Sequence, residues 1–309
     1  MKRWSDPPLG LKALRLGFQM MRAVSPDLAL RLAERIFSTP RRHRTPEVEL
    51  AAIHQGQSTS IRANGLRLQM HTWGEGPAVL LLHGWEGRGT QFHAFLDPLI
   101  EAGFSAIAFD QPGHGHSEGH LANPLIWTEA LEAVASEIGP LHGVVAHSLG
   151  AVGAAMAMTR GLNVPRAVFI SPPLEPDPYY GGLLSALGLP ENAHQAAFHA
   201  FAARLGIPWD HARLRSLAPR LSSPLLVIHD RNDREIPWSS IAALAPDWPS
   251  ARFYSTEGLG HRRILRDPAV GRQVVAFLSS DKTSAVLPFH GDGPRSLEWN
   301  LFHRDLRSA

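Results

Sequence analysis

The apolar run Gly143-Val144-Val145-Ala146 stops abruptly at His147-Ser148 and gives way to Leu149 to Met158, a stretch rich in Ala, Met and Gly. Valine favours strands, and alanine and methionine favour helices, so a serine stands at a strand-to-helix corner among small neighbours. That is the pattern of a nucleophile elbow. The turn is so tight that Ser148 takes a strained backbone conformation, tolerable only where its neighbours lack bulk. The strain lifts the hydroxyl clear of the sheet, and the N–H groups that open the helix point where negative charge would collect. Gly150 supplies one small position. Ala146 stands where the common G-x-S-x-G pattern has its first glycine, a mild departure because a methyl is the smallest side chain that could be added. The same residues admit a plainer reading, a buried serine capping a helix.

Around this corner, strand and helix patterns alternate. Asn64-Gly65 joins alternating segments at Ser58–Arg62 and Leu66–Trp73, a strong hairpin signal. Ala78–Leu82 is a continuous apolar run of the kind buried on both faces of a parallel sheet. Helix over Thr90–Ala102, strand over Phe104–Phe109, helix over Pro124–Ile138, the elbow strand and its helix, then strand over Ala167–Ile170 follow in turn. Such βαβ order predicts an α/β fold: a mostly parallel sheet with helices on both faces. The order breaks between Pro172 and Ser223. Several prolines open that segment, and short helical patterns follow at Leu183–Leu187, Ala193–Leu205 and Trp209–Leu217, which reads as a helical cap inserted over the carboxyl edge of the sheet. It resumes at Leu225–His229, Ser239–Leu244, Ala251–Tyr254 and Pro268–Leu278. The expected organisation is therefore an amphipathic helical arm at 1–50, a core at 51–171 and 224–280, the cap at 172–223, and a tail at 281–309 whose apolar residues should pack in part on the body.

In the arm, Leu11, Leu14, Phe18 and Met21 recur at helical spacing. Ser25 caps a second helix with Pro26 at its first position, and Leu28, Leu32, Ile36 and Phe37 are its candidate buried stripe. Ser38 to Pro46 reads as an exposed linker. Residues 1–44 hold ten Lys/Arg against three Asp/Glu, so the formal charge of +2 on the whole chain divides into +7 on these residues and −5 on the rest. Such an arm suits an anionic membrane or an acidic acyl carrier, although charged faces are also the ordinary solvated side of surface helices.

The 309 residues contain no cysteine, which excludes disulfides, thiolate nucleophiles and zinc–thiolate sites. There is no apolar run of membrane-spanning length, the N-terminus lacks the pattern of a signal peptide, and cytoplasmic residence is the expectation. Neither G-x-x-x-x-G-K-[ST] nor G-x-G-x-x-G occurs, so nucleotide binding has no support, and no cofactor or nucleic-acid partner is implied. His114, His116, Glu118 and His120 superficially resemble metal ligands, but Asp110 to Ser117 reads better as a tight turn after a strand, so no metal is expected.

A serine hydroxyl needs a base within hydrogen-bond reach, and that base needs an acid to fix its tautomer. Of seventeen histidines, His261 stands out by its glycine-rich loop after the final strand. Asp233, in the run Asp233-Arg-Glu-Ile236-Pro237, is the preferred acid and Asp230 the rival; Asp233 could also be a plain turn residue. Ligand sites in such sheets lie at the carboxyl ends of the strands, where these loops should converge. His83-Gly84-Trp85 directly follows a buried strand, so the N–H groups of Trp85 and Leu149 are candidate oxyanion donors. His83, Gly84, Trp85 and His147 are the candidate pocket residues.

His83-Gly84-Trp85, Asp110-x-Pro-Gly-His-Gly-x-Ser117, Ala146-His-Ser148-x-Gly150, Asp233-x-x-Ile-Pro237 and Gly260-His261 occur in the order found in the α/β-hydrolase superfamily. The resemblance spans residues 58–280 and implies an eight-stranded, mostly parallel sheet with a helical cap. It also implies a serine nucleophile at 148, base at 261, acid at 233 and oxyanion donors at 85 and 149. A serine at 148 argues against the similar dehalogenase and epoxide hydrolase branches, which use aspartate there. The expected activity is hydrolysis of a small-molecule carboxylic ester or thioester. Cleavage of a C–C bond or amide by the same residues is one alternative, and a catalytically silent binding protein is another.

Overall fold

The computed structural model describes residues 9–244, 248 and 251–280. The tail at 281–309, and the expectation that part of it packs on the body, lie outside them. Three helices come first: α1 (Leu9–Val24), α2 (Pro26–Phe37) and α3 (Glu47–Gln55). The core then runs β1 (Gln57–Ala63), β2 (Leu66–Trp73), β3 (Ala78–Leu82), α4 (His93–Glu101), β4 (Ser105–Phe109), α5 (Pro124–Ile138), β5 (Leu141–His147), α6 (Leu149–Thr159) and β6 (Ala167–Ile170). Helices α7 (Asp177–Ala186), α8 (His194–Leu205) and α9 (Leu214–Leu217), the segment expected as a cap and called so below, follow. The core closes with β7 (Leu225–Asp230), α10 (Trp238–Leu244), β8 (Ala251–Thr256), α11 (Gly260–Arg263) and α12 (Pro268–Ser279).

The strands form one eight-stranded sheet in the order β1-β2-β4-β3-β5-β6-β7-β8. β2 runs antiparallel to β1 and β4, and every other pairing is parallel. The β1–β2 hairpin turns on Asn64 and Gly65, both at positive φ (49° and 80°), the geometry that favours these two residue types. Side-chain alternation divides β3 between two cores. Leu80 and Leu82 pack with Leu131 and Val134 of α5 and Val152 of α6, while Val79 and Leu81 pack with Phe95 and Leu99 of α4 and Val274 of α12. Burial on both faces explains why the run carries no polar residue.

A third cluster joins the arm to the cap. Phe18, Ala29 and Ala33 pack with Tyr180, Leu184, Leu187, Phe198 and Trp209. The arm's buried stripes differ from those expected. In α1 only Phe18 is fully buried, with Leu14 and Met21 exposed and Leu11 half-buried. In α2 the buried residues are Ala29, Ala33 and Glu34. Leu28 is exposed and Leu32, Ile36 and Phe37 are half-buried. Small alanines let α2 approach the cap closely, and Glu34 is tolerated there because the Arg204 guanidinium of α8 pairs with it.

The boundary expected at residue 50 falls inside α3, which carries the buried Glu49. This carboxylate accepts hydrogen bonds from Arg88 (2.5 and 3.1 Å) and from the Thr90 hydroxyl (2.7 Å). The linker 38–46 is surface-exposed along much of its length but tied down. Arg42 donates to the carbonyls of His114, Gly115, Ser117 and Gly119, and Arg41 pairs with Glu86. The described residues up to Leu278 belong to a single compact unit.

Candidate active site

β5 ends at His147, and Ser148 occupies the N-cap position of α6 at φ 51°, ψ −126°. Positive φ in a non-glycine residue costs of order 1–3 kcal/mol and persists only where the surroundings enforce it. Here Ser148 N–H donates to the carbonyl of Ile170 on the neighbouring strand. Gly150 is held so closely that a Cβ would stand 2.6 and 2.7 Å from the carbonyl oxygens of His83 and Leu82. The serine makes no side-chain cap bond to its own helix, so the capping reading fails. Its Oγ lies instead 3.1 Å from Nε2 of His261.

His261 sits in the single turn α11. Its Nδ1 lies 2.8 Å from Oδ2 of Asp233. The other oxygen of Asp233 accepts the N–H groups of Glu235 and Ile236. Burial alone would push the Asp233 carboxyl up. The hydrogen bonds from His261 and these two amides prevail and hold it at about 2, so it is ionised near neutral pH. An ionised acceptor at Nδ1 requires the proton there, which leaves the Nε2 lone pair facing the Ser148 hydroxyl.

Asp230 does different work. Fully buried at the end of β7, it accepts the N–H groups of Asn232 and Leu259 and the Thr256 hydroxyl, fastening the loop that leads into α11. Of the two candidate acids the structure brings Asp233, not Asp230, to the imidazole. His229, also buried, lies 3.6 Å from Oδ2 of Asp233 and bonds through Nε2 to the carbonyl of Ile236, bracing the acid loop from below. Neither supporting role was legible in the sequence. The available signal was two polar residues closing an otherwise apolar strand.

On the other side of the elbow, Gly84 packs so tightly that a Cβ there would come 2.8 Å from that of Ser148. The loop after β3 therefore touches the serine. Trp85 is half-buried, with its indole edge-on to His114. The first N–H groups of a helix have no partner within it, so the Leu149 amide opens α6 beside the hydroxyl.

Two candidate pocket residues are corrected. His83 has no exposed surface: Nδ1 donates to the carbonyl of Gly84 and Nε2 accepts from Gln111 N–H, so the ring shapes the loop from beneath. His147 is also buried. Its Nε2 donates to the carbonyl of His261, its ring lies 4.7 Å from that of His261, and its Nδ1 has no partner. Burial, reinforced by the neighbouring His261, lowers its pKa to about 3 and keeps it neutral.

The sequence did not point to Glu86, at φ 55° directly after Trp85. Its N–H donates to Nε2 of His114, and its carboxylate is held at about 2 by hydrogen bonds from Arg41 against the opposing effect of burial. Nor did it point to Glu235, whose carboxylate lies 3.9 Å from Nε2 of His261 and 3.1 Å from Arg262. Of the residues weighed as metal ligands, His114 lies between Glu86 and Pro112, His116 beside Asp110 and Glu118 on the Arg67 amide, while His120 is exposed. Among the described residues no helix is long and apolar enough to cross a membrane.

A family model described as Alpha/beta hydrolase family matches residues 79–271, well over half of the chain. The chain is 37% identical to the non-heme chloroperoxidase CPO-A1 of Kitasatospora aureofaciens over 54 residues, 18% of this chain and 20% of that one. It is 34% identical to a pimeloyl-[acyl-carrier protein] methyl ester esterase of Methylococcus capsulatus over 102 residues, 33% of this chain and 37% of the relative. The chain thus spans from about a fifth to about two fifths of these relatives' own length. An esterase of the same name from Xanthomonas axonopodis pv. citri is matched at 28% identity over 231 residues, 62% of this chain and 90% of that one. Among solved structures, a membrane phospholipase A described as a bacterial virulence factor superposes with a TM-score of 0.59 at 20% identity, covering 86% of this chain and 98% of the other, a likeness of fold.

Proposed function

The chain belongs to the α/β-hydrolase family, and from that premise we propose that it is a serine hydrolase of carboxylic esters or thioesters working through an acyl-enzyme. The observation that carries the reading is the hydrogen-bonded line from Ser148 Oγ through His261 to Asp233, at 3.1 and 2.8 Å, on a serine held at positive φ. A silent binding protein has no use for a strained serine aimed at an imidazole. The names of the esterase relatives support an ester substrate.

In this reading Ser148 Oγ attacks the carbonyl carbon while His261 Nε2 takes its proton, and ionised Asp233 stabilises the imidazolium. The N–H groups of Trp85 and Leu149 receive the negative oxygen, already oriented and needing no rearrangement. His261 then protonates the leaving alcohol or thiol. Water, deprotonated by the same imidazole, releases the acid and restores the serine. No step needs a cofactor. Half-buried Trp85 walls the site, and α7 of the cap reaches the acid loop where the Tyr179 hydroxyl meets the Glu235 carbonyl at 3.5 Å.

The test is labelling with a fluorophosphonate probe beside hydrolysis of a graded series of acyl esters and thioesters. Labelling at Ser148 and ester cleavage, both lost in Ser148→Ala, are expected. Full activity of that variant would end the proposal, and turnover confined to diketones or amides would move it to the alternative substrate classes.

A further inference from the structure

Helix α1 buries Phe18 against the cap and turns its other side outward. On that side Leu9, Leu16, Met20 and Val24 are 84, 62, 64 and 89% exposed. Their spacing of seven, four and four residues places them on one face, and exposed Ala13 lies between them. Leu28, near the start of α2, is 57% exposed as well. Single exposed leucines are ordinary, but a stripe along a whole helix marks a surface with an occupant.

The charges say which occupant. α1 carries Lys12, Arg15 and Arg22 and no carboxylate. Residues 9–44 contain two acidic side chains, Asp27 and Glu34, and Arg204 from the cap engages both. Arg35, exposed seven residues after Leu28, shares its side of α2, as does Arg31, which pairs with Asp27 at 2.7 Å. An uninterrupted apolar helical face on an arm of net positive charge suits a bilayer interface, where side chains enter the acyl boundary and cations meet headgroups.

We infer that α1 and the start of α2 form a seat for an anionic lipid bilayer. α2 packs on α7 and α8, so the cap is held at the lipid surface. The inference concerns binding and stands apart from the hydrolase reading, so its test uses protein in which turnover is removed.

The experiment is co-sedimentation of the full chain carrying Ser148→Ala with vesicles of phosphatidylcholine alone, or with about a third phosphatidylglycerol. The protein should pellet with the anionic vesicles and remain mostly in solution with the neutral ones. Adding Leu16→Ser and Met20→Ser, at exposed positions that leave the melting temperature unchanged, should weaken binding at least about tenfold. Binding that is absent, that is equal on neutral vesicles, or that survives the double substitution would overturn the inference. So would a dimer in solution that the double substitution dissolves, because the stripe would then belong to a second copy.

Discussion

Nε2 of His147 donates a 2.9 Å hydrogen bond to the carbonyl oxygen of His261, so the residue beside the elbow serine holds the backbone of the residue that faces it. The two rings lie 4.7 Å apart, and the buried neutral His147 has no other polar partner. In an acyl-transfer site, a displacement of the base by about 1 Å costs on the order of 100-fold in rate. His147→Ala is therefore expected to lower kcat by roughly 10- to 100-fold with little change in KM, while a fluorophosphonate still labels Ser148 slowly. An unchanged kcat would show that the Asp233 contact alone fixes the imidazole.

Asp230 and Asp233 stand three residues apart and should fail differently. Asp233→Asn keeps the shape but removes the charge that fixes the imidazole tautomer, so kcat should drop by about 10⁴-fold with a nearly unchanged melting temperature. Asp230→Asn leaves buried donors from Leu259, Asn232 and Thr256 poorly paired. It should cost about 1–3 kcal/mol of stability, seen as a lower melting temperature, with a smaller loss of rate. Calorimetry and kinetics on both variants separate the roles, and an exchanged pattern would reassign the acid.

Acid should unfold the protein by titrating its buried histidines. Burial lowers His114 and His147 to about 3, and lowers His83 and His229 in the same direction. A histidine depressed in the folded state is neutral in both states above its unfolded value of about 6.5, where its contribution to stability is complete. As pH falls from there toward 3, the unfolded chain takes up protons that the folded one refuses, so stability declines across that window. His114 and His147 alone should account for uptake of about two protons on unfolding near pH 5. Denaturant midpoints measured from pH 8 to pH 4 should fall with the matching slope; a flat profile would contradict the burial of these rings.

What the sequence revealed was local, and what it concealed was either distant or two-faced. The elbow shows because a strained serine needs small neighbours within two residues, and the hairpin shows because positive φ selects Asn64-Gly65. Asp233 and His261 lie 28 residues apart, yet each closes a strand pattern, so chain order was enough to pair them. The arm misled because both sides of α1 and α2 carry apolar residues. Periodicity finds such faces without saying which one docks, and the cap selected Ala29 and Ala33 over Leu28. The Arg42 contacts with the loop after β4 join segments more than seventy residues apart and leave no spacing to read.

Glu49 was equally hidden, because its partner Arg88 is 39 residues away in the loop that leads into α4. Both side chains are buried, and Thr90 adds a third hydrogen bond to the same carboxylate. Gly89, between these partners, donates its N–H to Asp110 at the end of β4, so the pair anchors α3 to the segment that follows the Trp85 loop. Removing one member of a buried pair strands the other charge and typically costs about 3–5 kcal/mol. Glu49→Ala should lower stability by that amount in urea titration. Replacing both with apolar residues, Glu49→Leu with Arg88→Met, should recover much of it, because no charge is left unpaired. If the single variant is as stable as the wild type, α3 is held by its apolar contacts and the ion pair contributes nothing measurable.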